Sequence, residues 1–191
     1  MTKRKKNQEI EAEEPTIEGI KAAAPFSLEE LRADIAAREL IDYELLPYID
    51  LYMDQIITLM SEQNKDERHR VPLTSSMINN YTKQGVLPRA QGKRYTRDHL
   101  VDLTLLIYLK EVMPIANIGE LRQLLAEAGD PAWRYRNISE ALSRGRKGIL
   151  DLLPQEAGNQ EELVLQILRL GLFSYVARQT ALDLLDLARQ E

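Results

Sequence analysis

The sequence predicts an all-α protein with a small β element, and three observations support that fold class. Apolar residues recur at three- and four-residue spacing along most of the chain, whereas alternating β-branched residues are nearly absent. Ser, Thr and Asn stand where they can cap helices, and Gly and Pro separate the periodic segments. With 191 residues, 44% of them apolar, the chain is long enough to bury a core of its own.

The first third of the chain contains a charged tail and two predicted helices. Residues 1–25 lack an apolar period and are predicted to be a disordered tail. Ser27 and Glu30 have the spacing of a capping box, which predicts that a helix starts there. A second helix is predicted to begin near Asp50, and the polar stretch 61–72 is predicted to be a loop.

A short helix and a hairpin are predicted in the middle of the chain. Thr74 is in place to open the helix, and Gly85 and Pro88 are in place to end it. The following stretch RAQGKRYT, residues 89–96, leaves room only for a hairpin around its Gln-Gly turn.

Longer helices are predicted to fill the rest of the chain. One begins at Thr96 or Arg97 and stops at Pro114. Two more helix starts are predicted where Asn is followed three residues later by Glu, namely Asn117 with Glu120 and Asn137 with Glu140.

This order of elements is that of a winged helix-turn-helix, in which a short helix enters the major groove and a hairpin, the wing, lies on the adjacent DNA backbone. The recognition helix would be residues 74–84 and the basic wing residues 88–95. The winged helix-turn-helix domain, with its preceding helix, is predicted over residues 26–131. Residues 132–191 would form a C-terminal helical region that serves dimerisation or effector binding.

The distribution of charge favours an anionic partner for this domain. The whole chain carries −5, but residues 64–97 hold eight basic and two acidic side chains, a local charge of +6. A bound anion responds mainly to charges within a Debye length, about 8 to 10 Å at ordinary salt. The segment can therefore bind phosphate even though the molecule as a whole is acidic.

The same segment resembles the MerR-type regulators over residues 73–125. Their pattern of a recognition helix, a wing and a Leu-rich helix is matched by Tyr81, Gly85, Leu87, Pro88, Arg94 and Tyr95. Asn79, Asn80 and Thr82 depart from it, because the family has Arg, Tyr and Glu at these places. The stretches DLYMDQI and LTSSMINNYTK make the chain resemble even more closely an uncharacterised bacterial domain-of-unknown-function family with a MerR-like core. The resemblance implies a DNA-binding domain followed by a dimerising helix.

Eleven residues are candidate DNA contacts. Asn79 and Asn80 can donate to and accept from an adenine edge, while Ser75 and Ser76 stand at a helix N-terminus that favours a phosphate. The alternatives are that the cations are a solvated surface, that the two Asn fray or cap the helix, and that the tyrosines belong to the core. The candidates are Ser75, Ser76, Asn79, Asn80, Tyr81, Lys83, Arg89, Lys93, Arg94, Tyr95 and Arg97.

Several classes of function are not expected from this sequence. It contains none of the common catalytic motifs, so we predict no enzyme activity and no cofactor. It has no Cys, and His69 and His99 lack neighbouring ligands, so no metal site is predicted. No apolar stretch approaches the roughly 18 residues of a membrane span, and a cytoplasmic location is expected.

The C-terminal residues 161–189 leave alternatives open. Leu165, Leu168, Leu172, Tyr175 and Leu182 could form the seam of a helix pair, as in a homodimer, or the helix could fold back on its own domain. Four aromatic residues are weighed as the lining of a pocket for an unknown small-molecule effector, or as core: Trp133, Tyr135, Phe173 and Tyr175.

Two functions are expected from these observations. The first is a transcriptional regulator that binds double-stranded DNA as a dimer. The alternative is a non-enzymatic adaptor that uses the winged-helix fold or the C-terminal helices to bind another protein. Binding to RNA or single strands is disfavoured, because few aromatic residues stand among the basic ones to stack on bases.

Overall fold

The computed structural model describes residues 27–63, 72–156 and 158–190. Within this part of the chain, the secondary structure consists of helices and two isolated β-bridges, so the all-α class is confirmed. The predicted tail and most of the predicted loop 61–72 lie outside the described residues.

The described residues form seven helices. A 3₁₀ turn, Tyr43–Leu45, lies between the first two. In chain order the helices are α1 (Leu28–Ala37), α2 (Met53–Glu62), α3 (Ser75–Lys83), α4 (Arg97–Leu109), α5 (Ile115–Ala128), α6 (Pro131–Leu152) and α7 (Gln160–Ala188).

Most of the predicted helix starts are confirmed. The Ser27 hydroxyl accepts from the Glu30 backbone N–H at 3.1 Å, and the Glu30 carboxylate accepts in return from the Ser27 N–H at 2.9 Å. Thr96 caps α4 as predicted. Both starts were predictable because a cap depends only on residues within one helical turn.

The two Asn-x-x-Glu starts are wrong. Asn117 lies inside α5, which begins directly after Pro114. Asn137 lies inside α6, where its side chain donates to the Trp133 carbonyl at 2.8 Å. The cap of α6 is Asp130, whose carboxylate accepts from the Trp133 N–H at 2.7 Å. In both cases a stronger start signal stands a few residues earlier in the sequence.

Helix α4 forms the centre of the structure. All its residues from His99 to Ile107 are buried, and it contacts both α5 and α6. The sequence of α4 is apolar almost all round, which is the pattern of a helix packed on several sides. Its largest fully buried apolar side chains are Leu100, Leu103 and Leu106.

One carboxylate inside this apolar helix connects three helices. Asp102 of α4 accepts from Arg134 of α6 at 2.7 Å and from Arg122 of α5 at 3.4 Å. Arg134 also donates to Asp98 of α4. Burial raises the pKa of Asp102 above its ordinary value of 3.8, and the two guanidinium groups oppose that rise. We call Asp102, Arg122 and Arg134 the buried ion cluster.

Helix α7 is attached to the rest of the molecule mainly through its C-terminal half. Leu185 is buried, the Arg178 guanidinium donates to the Val112 carbonyl at 2.8 Å, and Arg189 pairs with Glu120. The N-terminal half of α7 is exposed. The structure therefore combines partial folding back with a large uncovered helix surface. None of the helices in the described ranges is long and apolar enough to cross a membrane.

The four aromatic residues weighed as an effector pocket have different environments. Tyr135 is buried and packs against Tyr43 with ring centroids 5.9 Å apart. Phe173 and Tyr175 are exposed on α7, and Trp133 is exposed near the start of α6. Tyr135 is therefore a core residue and is not open to a ligand in this structure.

Removing one member of the buried ion cluster is expected to destabilise the protein strongly. Arg134→Ala should lower the free energy of unfolding by about 3 to 5 kcal/mol, because Asp102 then stays buried with only the longer contact to Arg122. The exposed pair between Arg144 and Glu140 is the control, and Arg144→Ala should cost less than about 1 kcal/mol. Urea unfolding measures both, and similar small losses in the two variants would contradict the role of the cluster.

The buried hydroxyl of Tyr135 gives a prediction about pH. It has no hydrogen-bond partner among the described residues, and burial, with Tyr108 and Asp42 nearby, raises the pKa of Tyr135 to about 12. Because the folded pKa exceeds the ordinary value of 10, the stability linked to this group is complete below pH 10 and is lost as the pH rises towards 12.

Tyr135→Phe should therefore change the free energy of unfolding at pH 7 by less than about 1 kcal/mol, since no hydrogen bond is lost. Between pH 10 and 12 the variant should lose less stability than the native protein. Urea unfolding at several pH values measures the difference, and parallel losses in the two proteins would show that the phenol is not shielded from water.

Candidate functional site

A Schellman motif ends α3. The Val86 N–H donates to the Tyr81 carbonyl at 3.0 Å, and the Gly85 N–H donates to the Thr82 carbonyl at 3.2 Å. Gly85 has a φ of 74°, which glycine adopts without strain. The predicted helix end at Gly85 is thus confirmed, and the chain turns directly into the segment that leads to the hairpin.

Helix α3 has one buried and one exposed face. Thr74 caps the helix by accepting from the Met77 N–H at 3.2 Å, as predicted, and Ile78 and Tyr81 point into the core. The opposite face contains no carboxylate and lines a shallow depression of about 400 Å³. Its polar residues recur at the three- and four-residue spacing of a single helix face, and they are Ser76, Asn79, Asn80 and Lys83.

A two-residue hairpin follows at the position predicted for the wing. Gln91 and Arg94 exchange two backbone hydrogen bonds, each of 3.0 Å. The two residues between them, Gly92 and Lys93, have φ values of 56° and 67°. Positive φ at both positions is the geometry of a type I′ turn, which matches the twist of paired strands. We call residues 91–94 the hairpin.

The hairpin is anchored to the core through Tyr95. The buried Tyr95 exchanges backbone hydrogen bonds of 2.8 and 2.9 Å with Leu51, and its ring meets His99 edge-on at 5.4 Å. The His99 Nδ1 accepts from the Thr96 N–H at 3.1 Å, so Nε2 carries the hydrogen and faces the Arg89 carbonyl at 3.4 Å. His99 therefore links both ends of the hairpin segment to α4. No local sequence pattern indicates this role of His99, which sequence analysis weighs only as a metal ligand.

Four cationic side chains of this region are exposed. Lys83 is at the end of α3, and Arg89, Lys93 and Arg94 are in or beside the hairpin. None of the four forms an ion pair with a carboxylate of the described residues. Their positive charge is therefore not neutralised by carboxylates within this part of the chain.

Arg94 has an aromatic partner outside the hairpin. Tyr52 caps α2, and its side chain is half exposed. Its hydroxyl accepts from Arg94 at 3.3 Å, and the Arg94 guanidinium lies 5.4 Å from the ring centroid. Tyr52, which is not part of the hairpin, thus holds the Arg94 side chain in place.

Arg97 is separated from the other candidate cations. Its guanidinium donates to the Leu46 carbonyl and, at 3.4 Å, to the Pro47 carbonyl. It also lies 4.8 Å from the ring centroid of Tyr43 and 4.1 Å from that of Tyr48. These contacts hold Arg97 against the segment before α2, so it joins two parts of the fold rather than the exposed cationic group.

The two candidate tyrosines are core residues. Tyr81 and Tyr95 are more than nine-tenths buried, so the alternative that they belong to the core applies to both. Burial raises the pKa of both phenols, and Glu111 adds to the rise at Tyr81. The exposed polar groups of this region therefore belong to other residues of α3 and the hairpin.

The remaining eight candidates are all exposed and lie on two elements that are consecutive in the chain. The connection between α3 and the hairpin is fixed by Val86 and Leu87, which are buried. We call the exposed set the α3–hairpin surface; it comprises Ser75, Ser76, Asn79, Asn80, Lys83, Arg89, Lys93 and Arg94.

The type I′ turn predicts opposite effects for its two residues. Gly92→Ala should lower the free energy of unfolding by about 1 kcal/mol, although a Cβ there meets no atom within 4 Å, because an L residue is strained at positive φ. Lys93→Gly should raise it by up to about 1 kcal/mol for the same reason.

Gly145→Ala is the control for this pair. Gly145 lies in α6 with open space around it, so the change should stabilise the helix by about 1 kcal/mol. Urea unfolding measures all three variants. If Gly92→Ala and Lys93→Gly had the same sign, the turn would not have the geometry described.

The chain was compared with known proteins. Residues 41–138, which are just over half of the 191 residues, match the family model described as "Domain of unknown function (DUF1836)". No curated protein and no solved structure matches the chain. The matched region runs from the segment before α2 into α6 and includes the whole α3–hairpin surface and the buried ion cluster. The chain therefore belongs to the DUF1836 family.

Proposed function

We propose that this protein binds double-stranded DNA through the α3–hairpin surface and acts as a transcriptional regulator in the cytoplasm. The observation that carries the proposal is the exposure of four cations on α3 and around the hairpin, with no ion pair to a carboxylate of the described residues. Lys and Arg that are free of carboxylates can neutralise phosphates without first breaking an internal ion pair.

The order of the elements supports a winged helix-turn-helix mode of binding. Helices α2 and α3 contact each other, and the hairpin and the long helix α4 follow. The pairing of Tyr95 with Leu51 connects the hairpin to the start of α2, as expected for a wing that packs beside its helices. The MerR-like pattern of residues 73–125 supports the same mode.

In the proposed complex, α3 enters the major groove with its polar face towards the bases. Asn79 has no partner within the described chain other than its helix bonds, and Asn80 accepts only a long hydrogen bond of 3.4 Å from Gln84. Both amides are therefore available to a base edge, where Asn pairs well with adenine. Ser75 and Ser76 lie in a first turn without acidic side chains, which leaves the helix N-terminus open to a phosphate.

The hairpin would lie on the phosphate backbone next to the groove. Lys93 is at the tip of the turn and is exposed, and the Arg94 side chain is held by its contacts with Tyr52. A preordered Arg loses less side-chain entropy on binding than a free one. These two residues should therefore contribute to affinity for any duplex sequence.

The proposal is tested by the salt dependence of binding to a short fluorescent duplex of mixed sequence. Each phosphate contact contributes about −0.9 to the slope of log K against log salt, so four cations give a slope of about −3.6. Lys93→Ala with Arg94→Ala should reduce its magnitude by about 1.8. The control is Arg144→Ala with Lys147→Ala on α6, which removes the same charge and should leave the slope nearly unchanged. Equal effects of the two double variants would contradict the proposal.

A non-enzymatic adaptor is the second candidate function. The exposed apolar side chains of α7 favour it, because such surfaces are typical of protein interaction sites. An adaptor would not bind the duplex at moderate salt, and the Lys93 and Arg94 changes would leave its partner binding intact. The salt dependence of duplex binding therefore separates the two functions.

A further inference from the structure

The N-terminal half of α7 has an unusually apolar exposed surface. Between Leu163 and Val176, nine large apolar side chains are exposed, from 40% at Leu163 to 71% at Ile167. The stretch contains a single charged residue, Arg169. We call residues 163–176 the α7 segment.

Most of the circumference of the α7 segment is exposed, and Gln166 and Leu170 are partly covered. The four consecutive residues 172–175 are all exposed, and consecutive residues point in different directions around a helix. A helix that is apolar all round is normally buried on several sides. A two-stranded helix pair covers only one stripe, so a second helix alone would leave much of this surface in water.

The exposed area is large enough to hold a stable complex. If a large apolar side chain has a surface of about 150 to 200 Å², nine half-exposed ones leave roughly 700 to 900 Å² uncovered. The largest apolar patch of a typical monomer is about 300 to 600 Å², and a stable interface buries about 800 Å² on each partner. The α7 segment alone therefore meets the requirement of a standard interface.

A complementary apolar groove lies between α4, α5 and α6. It has a volume of about 360 Å³, and its lining is almost entirely apolar. None of the α7 residues lines it. The aliphatic side chains that form it come from α4, α5 and α6, and they are Leu105, Leu109, Leu121, Leu125, Ile138 and Leu142.

The α7 segment of the same chain is held away from this groove. Its Gln166 side chain donates to the Leu152 carbonyl at the end of α6, at 2.9 Å. The other half of α7 is fixed by the buried Leu185 and by the bond of Arg178 to the Val112 carbonyl. Contacts at both ends hold the helix in this direction, outside the groove, so in this structure the groove is open to an α7 segment of another molecule.

We propose that two copies of this chain associate reciprocally, with the α7 segment of each copy lying in the α4–α5–α6 groove of the other. The arrangement is two-fold symmetric, so both segments and both grooves are covered at once. One side of each helix meets the partner groove, and the two α7 helices cover each other on the remaining sides. The proposal does not depend on DNA binding, because it rests on the apolar surfaces alone.

The mass of the protein in solution tests the association. Light scattering at about 100 μM is expected to give the mass of a dimer, and Ile167→Glu should convert it to a monomer of unchanged helical content by circular dichroism, since Ile167 is exposed. Gln179→Glu is the control on the same helix, outside the segment, and should remain a dimer. A monomeric native protein, or equal behaviour of the two variants, would overturn the proposal.

Cross-linking tests whether the groove is the site. The chain has no Cys, so a single Cys can be introduced without competing reactions. Chains carrying Ile167→Cys are mixed with chains carrying Ala141→Cys, an exposed residue on the groove rim, and treated with a short bismaleimide. A cross-linked pair containing one chain of each kind is expected.

Ser61→Cys, an exposed site on α2, replaces Ala141→Cys in the control mixture and should give little product. Cross-links only between two Ile167→Cys chains would show a simple helix pair and overturn the assignment of the groove. No cross-linked pair at all would have the same consequence.

Discussion

The shared carboxylate of Asp102 constrains the rest of the structure. It is buried in α4 and holds Arg122 of α5 and Arg134 of α6, so it allows few relative positions of the three helices. Any shift that separates one partner leaves an unpaired charge out of water, which costs several kcal/mol. The first turn of the same helix carries His99, which bonds to both ends of the hairpin segment. The anchor of the hairpin and the buried ion cluster are therefore on the same helix, one turn apart.

The α3–hairpin surface and the core beneath it are built from the same short segment. Tyr81 and Tyr95 are buried. Lys83, shortly after Tyr81, and Arg94, directly before Tyr95, are exposed to solvent. Folding this segment therefore exposes its cations without any additional element. A positive charge in this segment is not sufficient to make a side chain available to DNA. Arg97 is an example, because carbonyl and aromatic partners bind it to the fold. The proposed DNA contacts are the cations that stay exposed, and they include Arg94, whose contact with Tyr52 leaves it open to solvent.

Local patterns in the sequence predict much of the fold. Contacts between residues that are distant in the chain leave no such pattern. The cap at Thr74 and the helix end at Gly85 depend on residues within a few positions, so the sequence alone predicts them. Asn117 also has a local pattern that predicts a helix start, but α5 already begins directly after Pro114. The hydrogen-bond partners of Arg97 are carbonyls about 50 residues earlier in the chain, and no local pattern predicts them. The exposure of α7 also depends on tertiary packing, since its apolar pattern is equally typical of a buried helix.

The most direct test of the proposed interface is a nuclear magnetic resonance titration of the ¹⁵N-labelled protein with a short duplex. We expect the amide signals of residues 75–94 to shift most, because they form the surface that would meet the phosphates and the groove. Signals of α1 and of the C-terminal half of α6 should stay in place. Shifts that are absent from residues 75–94, or that concentrate on α7, would contradict the account.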